Sequence, residues 1–165
     1  MMIRSAIVTI LCSILALTAC TKETSEKALD GIVQNLQEDS LFRNYFTEKN
    51  IDSIWRDPSG LKYRIQKTGS VESIKPTSVP TVIFTTKLLN GKVVQSSQGL
   101  PTNFDGRMLK EHIPGWQIGI PKIGKGGRIM LFIPSALAYG SAGISNLVPP
   151  NSPLVCEIDL VDFKD

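Results

Sequence analysis

The sequence has little histidine and cysteine, two residue types that are common in metal sites and in nucleophilic catalytic sites. Its 165 residues include one histidine and three cysteines. The histidine, His112, has no second potential ligand near it in the sequence, so we interpret it as a rim or surface residue. The sequence also lacks the Gly-x-x-x-x-Gly-Lys-Ser/Thr pattern of a phosphate-binding loop. We therefore expect neither a metal nor a cofactor.

An excess of charge of one sign is also lacking. The chain has 18 Lys and Arg residues against 15 Asp and Glu residues, a formal net charge of +3. Proteins that bind nucleic acid usually concentrate basic residues in a patch or stripe that meets the phosphates. No such cluster is present, so the sequence predicts no nucleic-acid partner.

The N-terminal hydrophobic run is too short to span a membrane. Residues 6–19 are almost entirely apolar and follow the basic Arg4, but a spanning helix needs about 20 such residues. We interpret residues 1–19 as a signal peptide. It ends in Leu17-Thr18-Ala19-Cys20, which resembles the bacterial lipobox, and this predicts Cys20 as the site of lipid attachment. Ordinary secretory cleavage after Ala19 and an uncleaved anchor are the alternatives.

Lipidation would place the protein in the bacterial cell envelope, held by lipid with its domain in the periplasm or at the cell surface. Thr21 follows Cys20, where an aspartate is associated with retention in the inner membrane of enteric bacteria. The sequence therefore favours the outer membrane. Cys12 is removed with the signal peptide, so Cys156 is the only free cysteine left and no internal disulfide can form. We interpret Cys156 as a small buried apolar group, since it lies in a predicted strand without a basic neighbour.

Residues 20–59 are predicted to form a tether, Thr21–Glu26, and two short amphipathic helices. Ser40 is a candidate N-cap for the second helix, which should end near Asn50. The turn signal Asp57-Pro58-Ser59-Gly60 predicts the boundary with a domain at residues 60–165. The apolar faces either pack on that domain, which we favour, or form a surface for homodimerisation or for another partner. The apolar positions are Leu29, Ile32, Val33 and Leu36 in the first helix, and Leu41, Phe42, Tyr45 and Phe46 in the second.

From Leu61 onward the hydrophobic period changes from helical spacing to alternation. Alternating residues at 61–66 and 154–160, and the apolar run at 128–133, predict β-strands. Asn90-Gly91 predicts a hairpin with a type I′ turn. Pro114 suits the first turn of a helix, which must be short because Pro121 follows. The pattern predicts an α+β domain: an antiparallel β-sheet curled around one short α-helix, preceded by the short helical N-terminal segment.

Several motifs between residues 113 and 151 together resemble one known family. They are Ile113-Pro114-Gly115-Trp116, Gly126-Gly127-Arg128, Ala138-Tyr139-Gly140 and Val148-Pro149-Pro150-Asn151, separated by an apolar strand and a loop rich in Gly and Ser. In this order and spacing they resemble the FKBP-type peptidyl-prolyl cis-trans isomerases. The resemblance covers roughly residues 60–165, the whole predicted domain, and implies the FKBP-like fold.

The resemblance implies a pocket for a proline-containing segment. Its tryptophan floor matches Trp116, and the family's two hydrogen-bond donors to substrate match the backbone N–H of Ile113 and the hydroxyl of Tyr139. Phe84 and Gln95 complete the implied catalytic set. The implied substrate-binding residues are Val94, Phe104, Leu147, Val148 and Cys156.

The sequence departs from the family pattern at several of these positions. Phe84 and Gln95 stand where the family usually has tyrosine and aspartate, and Val94 and Cys156 where it commonly has phenylalanine. His112 replaces a branched apolar residue. These changes predict a wider site, weaker turnover or altered drug binding.

Two functions follow from the resemblance. The first is a peptidyl-prolyl cis-trans isomerase that assists the folding of exported proteins at the envelope and binds their proline-containing segments. The alternative is a catalytically weak or inactive binding module in a chaperone or an envelope assembly. The residue types suit isomerisation, because an apolar pocket solvates the planar amide poorly and favours its twisted transition state. No proton is transferred, so a catalytic base is not needed.

Overall fold

The computed structural model describes residues 28–165. The predicted signal peptide, Cys20 and the tether therefore lie outside the described residues. The chain divides into two units, up to Asp39 and from Ser40 to Asp165. In the first unit residues 28–39 are helical, and Gln34 donates a hydrogen bond to Glu38 (2.7 Å). Among the described residues, no helix is both long enough and apolar enough to cross a bilayer.

The second unit begins within a helix. The backbone is helical without interruption from residue 28 to residue 48. The prediction that Ser40 caps a separate helix was therefore wrong. We call residues 40–48 α1. This helix ends as predicted near Asn50, which has the left-handed φ of 50°. The Ile51 N–H donates to the Phe46 carbonyl (2.8 Å), and this satisfies a carbonyl that the helix end leaves free.

The predicted α+β class is confirmed. The described strands form a six-stranded sheet in the order β1-β2-β5-β6-β3-β4, with every neighbouring pair antiparallel. The short helix α2 spans Pro114–Gly119 and continues into a 3-10 turn, Ile120–Lys122, that contains Pro121. The strands are β1 Trp55–Arg56, β2 Lys62–Lys67, β3 Val79–Leu88, β4 Val93–Ser96, β5 Gly127–Ile133 and β6 Leu154–Lys164.

The hairpin between β3 and β4 forms at the predicted place with a different turn. A type I′ turn needs positive φ at both central residues, but of Asn90 and Gly91 only Gly91 has it (86°). The Gly91 N–H donates to the Leu88 carbonyl, and the Leu88 N–H donates to the Lys92 carbonyl (both 2.9 Å). This pattern fits a three-residue loop that ends in a left-handed glycine and a bulge. The type I′ prediction was therefore wrong.

Helix α2 lies unusually close to β5 because two of its residues have no side chain. A Cβ atom at Gly115 would lie 2.5 Å from a methyl group of Ile133, and one at Gly119 would lie 2.6 Å from Leu131. Both distances are well below van der Waals contact. The two glycines, four residues apart on one face of α2, thus set the depth at which Trp116 enters the core.

The other face of the sheet is covered by α1. Phe42 is fully buried there and packs edge to face on Phe132, with 6.2 Å between ring centroids. Because α1 covers this face, Lys62 and Val155, which alternate along their strands with residues of the main core, are also buried. The Lys62 ammonium lies 4.9 Å from the centroid of the Phe42 ring. The favoured interpretation, in which the predicted second helix packs on the domain, is confirmed for Phe42.

The turn at Asp57-Pro58-Ser59-Gly60 forms as predicted and is joined to the segment after α2. The Asp57 carboxylate accepts hydrogen bonds from the backbone and hydroxyl of Ser59 (3.0 and 2.7 Å). It also pairs with the Lys122 ammonium at 2.7 Å. The hydrogen bond from Lys122, followed by those from Ser59, lowers the pKa of Asp57 to about 2.

We predict that Phe42→Ala lowers the free energy of unfolding by about 3–5 kcal/mol, because it leaves a cavity between α1 and the sheet. Its neighbour Leu41 is 48% exposed, so Leu41→Ala should change stability by less than about 1 kcal/mol. Urea denaturation monitored by circular dichroism measures both. Equal effects of the two substitutions would show that α1 does not depend on Phe42 for its packing.

We also predict that Asp57→Asn lowers the free energy of unfolding by about 1–2 kcal/mol at neutral pH. The folded-state pKa of Asp57, about 2, lies below the ordinary value of 3.8. The stabilisation is therefore complete above pH 3.8 and is lost as the pH falls toward 2. Denaturation across this range should show the variant and the unsubstituted protein converging. Asp52, whose side chain is 83% exposed, provides the control Asp52→Asn, which should have little effect.

Candidate functional site

A cavity of about 260 Å³ opens beside Trp116. The indole is only 4% exposed. Phe84 packs against it edge to face (5.1 Å between centroids), and His112 stacks on it (5.3 Å, interplanar angle 18°). The indole is thus held on two sides while it borders the cavity. The lining residues are Thr86, Gln95, Phe104, Arg107, Glu111, His112, Ile113, Trp116 and Tyr139.

The cavity is bordered by polar groups that have no partner within the protein. In residues 28–165, neither the backbone N–H of Ile113 nor the hydroxyl of Tyr139 makes a hydrogen bond. Nε1 of Trp116 and Nε2 of His112 are buried and also lack a partner in this part of the chain. Buried polar groups are nearly always satisfied in folded proteins. A bound ligand with its own carbonyl and amide groups could form hydrogen bonds with the unpartnered groups of the cavity.

Two ionisable groups of the site, Tyr139 and His112, are neutral near neutral pH. Burial raises the pKa of Tyr139, so its hydroxyl keeps its proton and can donate. Burial also lowers the pKa of His112, and the nearby positive charge of Arg107 acts in the same direction. The nearby backbone of Arg107 and the negative charge of Glu111 oppose both effects. The neutral imidazole therefore stacks on the indole without adding a charge.

Cys156 lies behind the cavity and is completely buried. Its sulfur is 3.2 Å from the hydroxyl oxygen of Thr86. Burial raises the pKa of the thiol to about 11, although Thr86 and the nearby Trp116 indole oppose the rise. The indole geometry is too poor to count as a hydrogen bond. Cys156 is therefore a packing residue and a poor nucleophile.

The structure brings most of the sequence-predicted site residues together. Phe84 packs on both Trp116 and Phe104, and Val94 is buried in the same core cluster. Leu147 and Val148 instead line a separate depression of about 310 Å³ next to Pro149 and Pro150. The predicted residues that line the cavity itself are Ile113, Trp116, Tyr139, Gln95 and Phe104.

Sequence reasoning missed three polar residues of the lining: Thr86, Arg107 and Glu111. Thr86 could have been found, because it lies two residues after Phe84 on β3 and so on the same face. In the sheet it pairs with Gln95. Arg107 and Glu111 lie between β4 and α2, where no hydrophobic period fixes the direction of a side chain.

Comparison with known proteins identifies the family. Residues 71–161 match the family model described as FKBP-type peptidyl-prolyl cis-trans isomerase. The chain is 35% identical over 133 residues to a probable FKBP-type peptidyl-prolyl cis-trans isomerase of Haemophilus influenzae, covering 79% of this chain and 53% of the relative. It is 40% identical over 146 residues to the isomerase FkpA of Buchnera aphidicola, covering 87% and 53%.

A solved structure agrees with these matches. The crystal structure of FkpA from Escherichia coli superposes with a TM-score of 0.67 at 30% identity, over 94% of this chain and 71% of that one. The chain therefore belongs to the FKBP-type peptidyl-prolyl cis-trans isomerase family. It spans about half the length of the curated relatives it matches.

We predict that Cys156 is protected from thiol reagents in the folded protein. A variant with Cys12→Ser and Cys20→Ser keeps Cys156 as its only thiol. Modification by an aromatic disulfide should be slow in buffer and rapid in denaturant, because the thiolate is the reactive species. The control adds Cys156→Ser and Leu100→Cys, since Leu100 is 69% exposed, and should react rapidly when folded. Equal rates for the two folded proteins would contradict the assigned burial.

Proposed function

We propose that this chain is a peptidyl-prolyl cis-trans isomerase whose active site is the cavity beside Trp116. The observation that carries the proposal is the combination of an aromatic floor with two unpartnered donors, the Ile113 N–H and the Tyr139 hydroxyl. The proline ring packs on Trp116, and carbonyl groups of the substrate accept hydrogen bonds from the two donors. Family membership supports the assignment.

The physical basis is differential binding of the twisted amide. Rotation about a peptide bond has a barrier of about 18–20 kcal/mol, because resonance gives the C–N bond double-bond character and separates charge. The surface formed by Phe84, Phe104 and Trp116 solvates separated charge poorly. The planar form of the amide therefore loses the stabilisation that water gives to its separated charge. Only interactions stronger in the transition state accelerate the reaction. Each ~1.4 kcal/mol by which the site binds the transition state more tightly than the planar form gives a tenfold gain in rate.

The alternative function is a binding module with little turnover. The observation that favours it is the polar lining, in which Thr86, Gln95 and Glu111 stand beside the aromatic residues. Polar side chains and the water they hold would solvate the planar amide better than a fully apolar pocket. Peptide binding without acceleration of cis-trans exchange would identify this function.

The cellular role that we propose rests on the predicted signal peptide and lipid-attachment site. With residues 1–19 as a signal peptide and lipid on Cys20, an isomerase domain at residues 60–165 would work at the bacterial envelope. Its substrates would be proline-containing segments of exported proteins, whose folding slow prolyl isomerisation limits. Growth with radiolabelled palmitate tests the anchor: the unsubstituted protein should carry the label and Cys20→Ser should not, whereas an unlabelled unsubstituted protein would exclude lipidation at Cys20.

We predict that Tyr139→Phe lowers kcat/KM for a proline tetrapeptide roughly two- to tenfold, the value of one hydrogen bond. Trp116→Leu should lower it more than about tenfold, because the floor of the cavity is lost. NMR exchange spectroscopy at equilibrium measures the rates directly. Tyr63→Phe and Trp55→Leu, with Trp55 63% exposed, are the matched controls. Rates that are equal in all four variants would refute the assigned site.

A further inference from the structure

Arg107 places a positive charge at the border of the cavity. It lies between two 3-10 turns, Phe104–Gly106 and Leu109–Glu111, and is exposed. Arg107 lines the same cavity as Tyr139 and His112. Burial is the main cause of the pKa shifts of Tyr139 and His112, and the charge of Arg107 is a smaller one. Arg107 thus stands at the border of the space where the substrate backbone would bind.

The guanidinium of Arg107 has no carboxylate partner. In the part of the chain that the structure describes, no Asp or Glu oxygen lies within 4.0 Å of it. The acidic residue of the lining is Glu111, and its carboxylate accepts a hydrogen bond from the Met108 N–H (2.7 Å). His112 is neutral, and Gln95 carries no charge. Arg107 is thus the cation of the lining that remains available to a ligand.

We propose that Arg107 selects substrates in which an acidic residue stands directly beside the proline. This inference rests on the proposed function. A Glu or Asp side chain next to the bound proline would bring its carboxylate to the guanidinium, which binds carboxylates through two parallel hydrogen bonds. A Lys or Arg at the same position would be repelled. The contact would act on substrate affinity, while the twisting of the amide depends on Trp116 and Tyr139.

The test compares peptides that differ only in charge. Tetrapeptides carry Glu or its uncharged isostere Gln, directly before or directly after proline, and NMR exchange gives kcat/KM for each. The protein should prefer Glu over Gln at one of the two positions by roughly two- to fivefold, the range of an exposed ion pair. The preference should shrink in about 1 M salt, where screening is strong.

Two substitutions in the lining should move this ratio in opposite directions. Arg107→Gln should bring the Glu-to-Gln ratio to about one or below, because the remaining charge of Glu111 repels the substrate. Glu111→Gln should raise the ratio. Arg128→Gln removes the same charge from an exposed position on β5 outside the cavity, and should leave the ratio unchanged. A ratio that Arg107→Gln does not alter, or that Arg128→Gln alters equally, would overturn the inference.

Failure of the proposed function gives a different result. In that case the unsubstituted protein would accelerate no peptide, including one with Leu before proline. Dissociation constants of the same Glu and Gln peptides, measured by isothermal titration calorimetry, would then test Arg107 without catalysis. Tighter binding of the Glu peptide that disappears in Arg107→Gln supports the inference. Equal affinities for both peptides, or no binding of either, overturn it.

Discussion

The close contact between α2 and β5 is the constraint on which the site depends. Gly115 and Gly119 allow the helix backbone to approach Ile133 and Leu131 to a distance that no other residue permits. Trp116, between these glycines, is thereby pressed against Phe84 and Phe104 while it still borders the cavity. A helix farther from the sheet would leave the indole mobile. A site that discriminates between two shapes of one amide needs fixed walls, since small displacements weaken catalysis.

Around this fixed floor the lining is divided into two kinds of surface. Aromatic rings form one part, and Thr86, Gln95, Arg107 and Glu111 form another. The aromatic part is continuous with the hydrophobic core and follows from the fold. The polar part lies on β3, β4 and the segment before α2, so it can change without disturbing the core. Under the proposed function, isomerisation and the choice of substrate would therefore depend on different elements of the domain.

The sequence predicted what short motifs and periodic patterns determine. The class and the short helix bounded by Pro114 and Pro121 followed from local signals. The proximity of Ile113, Trp116 and Tyr139 was implied by the family resemblance of their motifs. Ser40 was wrongly predicted to cap a helix, because a serine in the middle of a helix has the same residue type as an N-cap serine. The burial of Lys62 depends on Phe42 in α1, a contact distant in sequence. Arg107 could not be predicted because its segment has no repeating pattern.

The position of β6 has a consequence for how the domain forms during synthesis. β6 pairs with both β3 and β5 and is the last described strand in the chain, yet it lies within the sheet. Until Leu154–Lys164 has left the ribosome, β3 and β5 have no strand between them and present unpaired edges. The sheet therefore cannot close until synthesis has passed this strand, and until then two strand edges remain open to other pairing partners.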